Sequence, residues 1–138
     1  MTWPKDYPLA EIAPETVTGP RGKTLDALTM DVVAQGEVGV EDIRITPDTL
    51  ARQAAVARAA GRGALAENFE RAAEMTRLPE AEIMRIYELL RPGRASSAAQ
   101  LDEVARQLEE TYAAPRLAAF VRQAAAQYDR RSLYRRRF

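Results

Sequence analysis

The sequence contains no cysteine and no histidine. The first absence excludes a disulfide framework, thiolate metal sites, iron–sulfur ligation and a thiol nucleophile. The second removes the commonest general base and the commonest transition-metal ligand. A Ser–His–Asp hydrolase and a histidine-ligated zinc enzyme are thereby excluded by inventory. Lysine is scarce: Lys5 and Lys23 are the only two, both near the N-terminus, which disfavours a buried Schiff-base lysine. No apolar run approaches the roughly 20 residues of a membrane span. The start, Met1-Thr2-Trp3-Pro4-Lys5-Asp6, lacks the apolar stretch of a signal peptide. The expected location is the cytoplasm. Neither sign of charge prevails, with 20 basic and 20 acidic residues among 138, so no uniform field points to nucleic acid or anionic lipid.

What is present is alanine. Alanine supplies 26 of the residues within a hydrophobic fraction of 46%. It is the best helix former but buries little area. The composition implies helices around a core that is thin for the chain length, completed against a partner. Charge is also segregated. Residues 116–138 hold seven arginines and one acid, Asp129, for +6; residues 1–115 hold 13 basic and 19 acidic residues, for −6. The basic end closes with Arg135-Arg136-Arg137-Phe138. It reads as a nucleic-acid-binding tail, as a solvated helix end favoured by the macrodipole, or as an arm that docks on an acidic protein.

Pro4, Pro8, Pro14, Pro20, Gly19 and Gly22 forbid a long helix over residues 1–23. Tyr7 and Leu9 make this stretch too apolar for a disordered tail. It is expected to be an extended arm lying on a surface. Thr29 as N-cap and Gly36 after the end predict a short helix. Residues 38–45 are expected to be a turn with an extended segment, Ile43 and Ile45 pointing one way and Asp42 and Arg44 the other. The isoleucines would then plug the chain's own helices, or the segment would bind across an interface with Arg44 pairing to a carboxylate.

Thr46-Pro47-Asp48 opens a helix to about Ala60, stopped by Gly61-Arg62-Gly63. Leu65, Phe69, Ala72, Ala73 and Thr76 mark the next. Pro79 opens another, with Ile83, Ile86, Tyr87 and Leu90 on one face. Ser97 caps a helix striped by Leu101, Val104, Ala105, Leu108 and Tyr112. Pro115 restarts the chain for a last stripe of Leu117, Phe120, Val121, Ala124 and Tyr128. The short loops make neighbours antiparallel. The expected class is all-α: an extended arm, residues 1–23, and one compact antiparallel helical domain, residues 24–138.

Chemistry is hard to find. Asp102 and Glu110 each lie four residues from Arg106 and are expected to pair with it. Carboxylate-bridged metal sites of the Glu-x-x-His kind need histidine. Gly36, Gly39, Gly61 and Gly63 form no phosphate loop, since no Gly-Lys-Ser/Thr follows and no strand precedes. No catalytic, cofactor-binding or metal residue is nominated. The candidate interface residues are Tyr7, Leu9, Asp42 and Arg44.

The order of segments is distinctive. Asp6-Tyr7-Pro8-Leu9-Ala10 comes first, then Gly22-Lys23-Thr24-Leu25, Gly36-Glu37-Val38-Gly39 and Asp42-Ile43-Arg44-Ile45-Thr46-Pro47. Asn68-Phe69-Glu70-Arg71-Ala72-Ala73-Glu74, Ile83-Met84-Arg85-Ile86-Tyr87, Leu89-Leu90-Arg91-Pro92 and Ala118-Ala119-Phe120-Val121-Arg122 follow. Over roughly residues 6 to 134 this resembles the small (gamma) subunit of adenosylcobalamin-dependent diol and glycerol dehydratases. The resemblance implies a heterohexamer of two large, two medium and two small subunits. The large subunit would be a (β/α)₈ barrel carrying substrate and catalytic residues, and cobalamin would lie between large and medium subunits. The small subunit would pack on the large one and bind no cofactor by itself. The complex, a lyase, would convert propane-1,2-diol or glycerol to an aldehyde plus water by a radical mechanism.

In two respects the chain departs from that pattern. Only Met1 to Lys5 precede the Asp-Tyr-Pro-Leu-Ala stretch, so no encapsulation extension for a bacterial microcompartment is expected here. The C-terminal end is rich in arginine where relatives more often carry lysine. The competing reading is a stand-alone helical adaptor or nucleic-acid-binding module that uses the basic end.

Overall fold

Prolines and capping residues punctuate the chain where the sequence places them. A computed structural model describes Lys5 and residues 7–136. Expectations resting on Met1 to Pro4, Asp6, Arg137 and Phe138 lie outside the described residues. The elements are α1 (Leu9–Ile12), a 3₁₀ turn (Pro14–Thr16), a second (Leu25–Ala27), α2 (Met30–Ala34), α3 (Val40–Ile43), α4 (Pro47–Ala59), α5 (Gly63–Met75), α6 (Glu80–Leu89), α7 (Ala98–Tyr112) and α8 (Pro115–Arg131). The class is all-α; among the described residues β structure is confined to one isolated bridge, Thr18 to Thr24. Contacts divide the chain into two compact units, the first ending at Ala73 and the second starting at Glu74.

In the first unit, Thr29 Oγ1 accepts from the Val32 N–H, and Thr46 Oγ1 accepts from the Thr49 N–H at 3.2 Å. Each hydroxyl satisfies one of the donors a helix start leaves open. Gly36 and Gly61, with φ of 76° and 74°, take the left-handed conformation that ends α2 and α4 at little steric cost. The arm is less extended than its prolines suggest. Pro8 stands at the N-cap of α1 and Pro14 at the first position of the 3₁₀ turn, positions where a missing N–H costs nothing. The core is as thin as the alanine content implies: Ala54, Ala57 and Ala66 with Phe69 against them, and Leu50 buried nearby in sequence on α4.

The second unit has a larger core, in which Leu101, Leu108 and Val121 are fully enclosed. Two residues join α7 to α8, and Glu109 on α7 meets Arg122 on α8 at 2.6 Å, so the two form an antiparallel hairpin. The α7 stripe is as expected. On α8 the buried residues are Ala118, Val121 and Ala125, with Leu117 and Tyr128 half-buried and Phe120 exposed. The stripe is centred on the alanines because small side chains occupy the line of closest helix approach and larger ones flank it. The same reason corrects α5, where Ala66 is enclosed while Leu65 is partly exposed; on α6, Tyr87 lies outside the buried face that Ile86 anchors.

Pro115 begins α8, but the N-cap residue, Ala114, has no side chain able to cap it. Glu74 supplies the acceptor from 42 residues away. Its carboxylate accepts from the Arg116 N–H at 3.1 Å and the Leu117 N–H at 2.8 Å, while 5% exposed.

Candidate functional site

Several carboxylates on the long helices are paired with arginines. Glu82 pairs with Arg85, Glu88 with Arg91 and Glu109 with Arg122. Arg106 pairs with Glu103 and Glu110. Asp102 is not its partner, because the longer Glu103 side chain reaches the same guanidinium from one turn away. The hydrogen bond from Arg122 holds the Glu109 carboxyl below the ordinary glutamate range. Among the described residues no group of three or more acidic side chains is arranged to hold a metal ion. What the chain offers instead is surface.

Residues 38–45 differ from the expected extended segment. Gly39 serves as N-cap, and the Asp42 carboxylate turns back to accept the Gly39 N–H at 2.9 Å. This closes one helical turn, α3. Asp42 is thereby drawn inside, 2% exposed, while Ile43 and Ile45 are 69% and 47% exposed. The isoleucines do not plug the chain's own helices. Arg21 Nε donates to Asp42 Oδ1 at 2.7 Å, and its Nη2 donates to Oδ2. These bonds, led by the guanidinium and followed by the Gly39 N–H, hold the Asp42 carboxyl down to about 2. Gly19 completes the lock for want of space: a Cβ there would overlap the Asp42 carbonyl oxygen. Lys23 also donates to the Glu37 carbonyl. The loop between Thr18 and Thr24 is thus fastened to α3 by polar contacts.

Apolar side chains are exposed on α2, on the fastened turn and just after it. Met30 is 82% exposed, and Val33, Val40, Ile43 and Ile45 are exposed with it. Scattered exposed apolar residues are ordinary; this many within 16 residues of chain is the composition of a contact surface. Arg44 lies in the same segment, exposed, with Glu41 at 3.1 Å. Tyr7 and Leu9 stand elsewhere in the first unit. They line a groove of about 550 Å³ with Val17, Val56, Leu65 and Phe69, and Arg52 and Arg62 are among its polar residues. In the second unit a smaller apolar depression of about 180 Å³ is lined by Met75, Ile83, Tyr87 and Phe120 among others. The candidate residues therefore do not form one cluster. Tyr7 and Leu9 share the groove, Arg44 belongs to the apolar segment, and Asp42 supports that segment from inside.

Reasoning from sequence missed Gly19, Arg21 and Glu74, whose partners are 21 or more residues away and leave no local mark. It also missed Met30, Val33 and Val40. A signal existed for α3, since a glycine followed three residues later by aspartate is a capping pattern.

Comparison with known proteins adds a separate line of support. The family model described as dehydratase small subunit matches residues 3–135. The propanediol dehydratase small subunit of Citrobacter freundii is 50% identical over 126 residues, covering 91% of this chain and 73% of the relative. The propanediol dehydratase small subunit of Salmonella typhimurium is 49% identical over 126 residues, covering 91% and 72% respectively.

Proposed function

Because this chain belongs to the dehydratase small-subunit family, we propose that it is the non-catalytic small subunit of a coenzyme B12-dependent dehydratase acting on propane-1,2-diol or glycerol. As a small subunit it has partner subunits in a dehydratase complex. In this reading those partners are two large barrel subunits and two medium subunits, paired with two copies of this chain. It packs on the large subunit and stabilises it. Residues 1–23 act as an arm and residues 24–138 as the helical domain. The assembly works in the cytoplasm or within a microcompartment.

The observation that carries this reading is the set of exposed apolar residues from Met30 to Ile45, of which Val40 and Ile43 sit on a turn that Arg21, Asp42 and Gly19 hold in place. A chain with so small a core gains by burying such a surface against another protein. Tyr7, Leu9 and Arg44 are direct contacts in this proposal, and Asp42 positions Arg44 and the flanking isoleucines. In this proposal adenosylcobalamin is held by the partner subunits and none is bound by this chain alone, so no step of the chemistry is assigned to residues here.

The test is reconstitution with the large and medium subunits of the same organism. The chain should co-elute with them in fixed proportion, and its omission should lower the thermal stability of the dehydratase activity. Equilibrium dialysis should show no cobalamin bound by the chain alone. Stoichiometric cobalamin binding by the isolated chain, or assembly of an equally stable enzyme without it, overturns the proposal.

A further inference from the structure

Arg85 on α6, Arg91 just after it, Arg106 on α7 and Arg122 on α8 have carboxylate partners. Arg94, Arg130, Arg131, Arg135 and Arg136 have none among the described residues, and all are exposed. These five come from the loop before α7, the end of α8 and the segment after it, and backbone bonds bring the three together. The Gly93 N–H donates to the Leu133 carbonyl at 2.7 Å, and the Arg135 N–H donates to the Ala95 carbonyl at 2.8 Å. Tyr128 donates to the Leu90 carbonyl, and Tyr134 to the Ala125 carbonyl at 2.8 Å. Their rings meet edge to face, with centroids 6.0 Å apart. The segment after α8 is therefore not a loose tail through its described residues but a fixed mount for unpaired guanidinium groups. Asp129 is the one acid in residues 116–138. The partial negative charge at the end of α8, about half an elementary charge, offsets only a small part of the positive charge.

We infer that this junction is a docking surface for a carboxylate-rich face of a partner dehydratase subunit, an inference that rests on the subunit reading above. Three observations favour a protein over a nucleic acid. Tyr128 and Tyr134 are half-buried and engaged with backbone carbonyls, so the patch offers no aromatic plane on which a base could stack. Residues 1–115 carry −6, which repels an extended polyanion beyond the patch itself. Guanidinium forks match carboxylates two bonds at a time, and Arg85, Arg106 and Arg122 of this chain already pair in that way.

The experiment uses the full chain and the large and medium subunits of the same complex. Arg130, Arg131 and Arg135 are replaced together by Glu, by Gln and by Lys, and the affinity of each variant is measured across a salt series. The parent should bind more weakly as salt rises. The Glu variant should lose about tenfold or more in affinity and the Gln variant a smaller amount, while the Lys variant stays within about threefold, as expected for interfacial charges. Melting of the free Gln and Lys variants should stay close to the parent, since none of these side chains has a side-chain partner among the described residues. Should the Glu variant melt lower, the Gln and Lys variants decide the matter. Assembly of the Gln variant with the parent's affinity and salt dependence overturns the inference and leaves the subunit reading intact. Tight, salt-sensitive binding of a labelled RNA or duplex DNA that is lost in the Gln variant also overturns it. A parent chain that captures neither large nor medium subunit removes the subunit reading itself and the inference with it.

Discussion

Replacing Glu74 with Ala should destabilise the second unit more than any other single change of a polar residue. The carboxylate is 5% exposed and receives the N–H groups of Arg116 and Leu117 at 3.1 and 2.8 Å. No other residue caps α8 with its side chain, because Ala114 has none to offer. Truncation leaves two donors facing the space the carboxylate vacates. Loss of a helix cap costs about 0.5–2 kcal/mol, hydrogen bonds to a charged group are worth about 1.5–3 kcal/mol, and the favourable charge at a helix start adds about 0.3–1 kcal/mol. These describe overlapping parts of one interaction, and water entering the gap recovers some of it. The expected net loss is therefore about 2–3 kcal/mol, which lowers Tm by roughly 10–20 °C for a unit of this size. Glu74→Gln keeps one acceptor oxygen and loses the charge, so its cost should be about half as large. Thermal melting followed by helical circular dichroism measures both, and hydrogen exchange at the Leu117 amide locates the effect. If Glu74→Ala melts within about 2 °C of the parent with Leu117 equally protected, the capping argument is refuted.

Three further outcomes follow from the first unit. The folded Asp42 carboxyl titrates at about 2, below its unfolded range; its stabilisation is therefore complete above the unfolded value and lost as pH falls through the folded one, so acid melting between roughly pH 5 and 2 should flatten in Asp42→Asn. Gly19→Ala forces a methyl group against the Asp42 carbonyl and should cost about 1–3 kcal/mol, read as faster proteolysis of the 18–24 loop; unchanged proteolysis would count against the lock. Ile43→Ala should leave melting of the free chain within about 0.5 kcal/mol of the parent, since the side chain is 69% exposed. The same change should weaken binding to the partner subunits of the complex proposed above.

The limits of α2, α4 and α7 were legible because they rest on residues next to one another in sequence. Thr46-Pro47-Asp48 opens α4, Ser97 caps α7 with its hydroxyl accepting from the Gln100 N–H at 3.3 Å, and Gly36 and Gly61 end helices by taking positive φ. Burial was legible where large apolar residues face the core, as at Leu101 and Leu108. It was misread on α8, where Ala118 and Ala125 occupy the closest approach and Phe120 does not. An alanine carries no mark that separates a tight helix contact from a solvated face. The segment around Asp42 was misread for a different reason. Alternation of Ile43, Arg44 and Ile45 suggests a strand, but a four-residue capping turn needs only Gly39 and Asp42, and the partner that rewards it, Arg21, is distant in sequence.

These failures share a cause that also explains how the first unit holds its surface. With a described core made chiefly of Leu50, Ala54, Ala57, Ala60, Ala66 and Phe69, apolar burial alone cannot fix the 18–45 region, since each alanine removes little area from water. Directional contacts do the fixing: the Arg21 fork on Asp42, the Gly39 cap and the close approach at Gly19. Such contacts leave Met30, Val33, Val40, Ile43 and Ile45 free of the chain's own interior. A larger core would have drawn those side chains inward. A subunit that must offer apolar surface to a partner, and still keep a defined shape beforehand, is therefore better served by polar locks than by further hydrophobic packing.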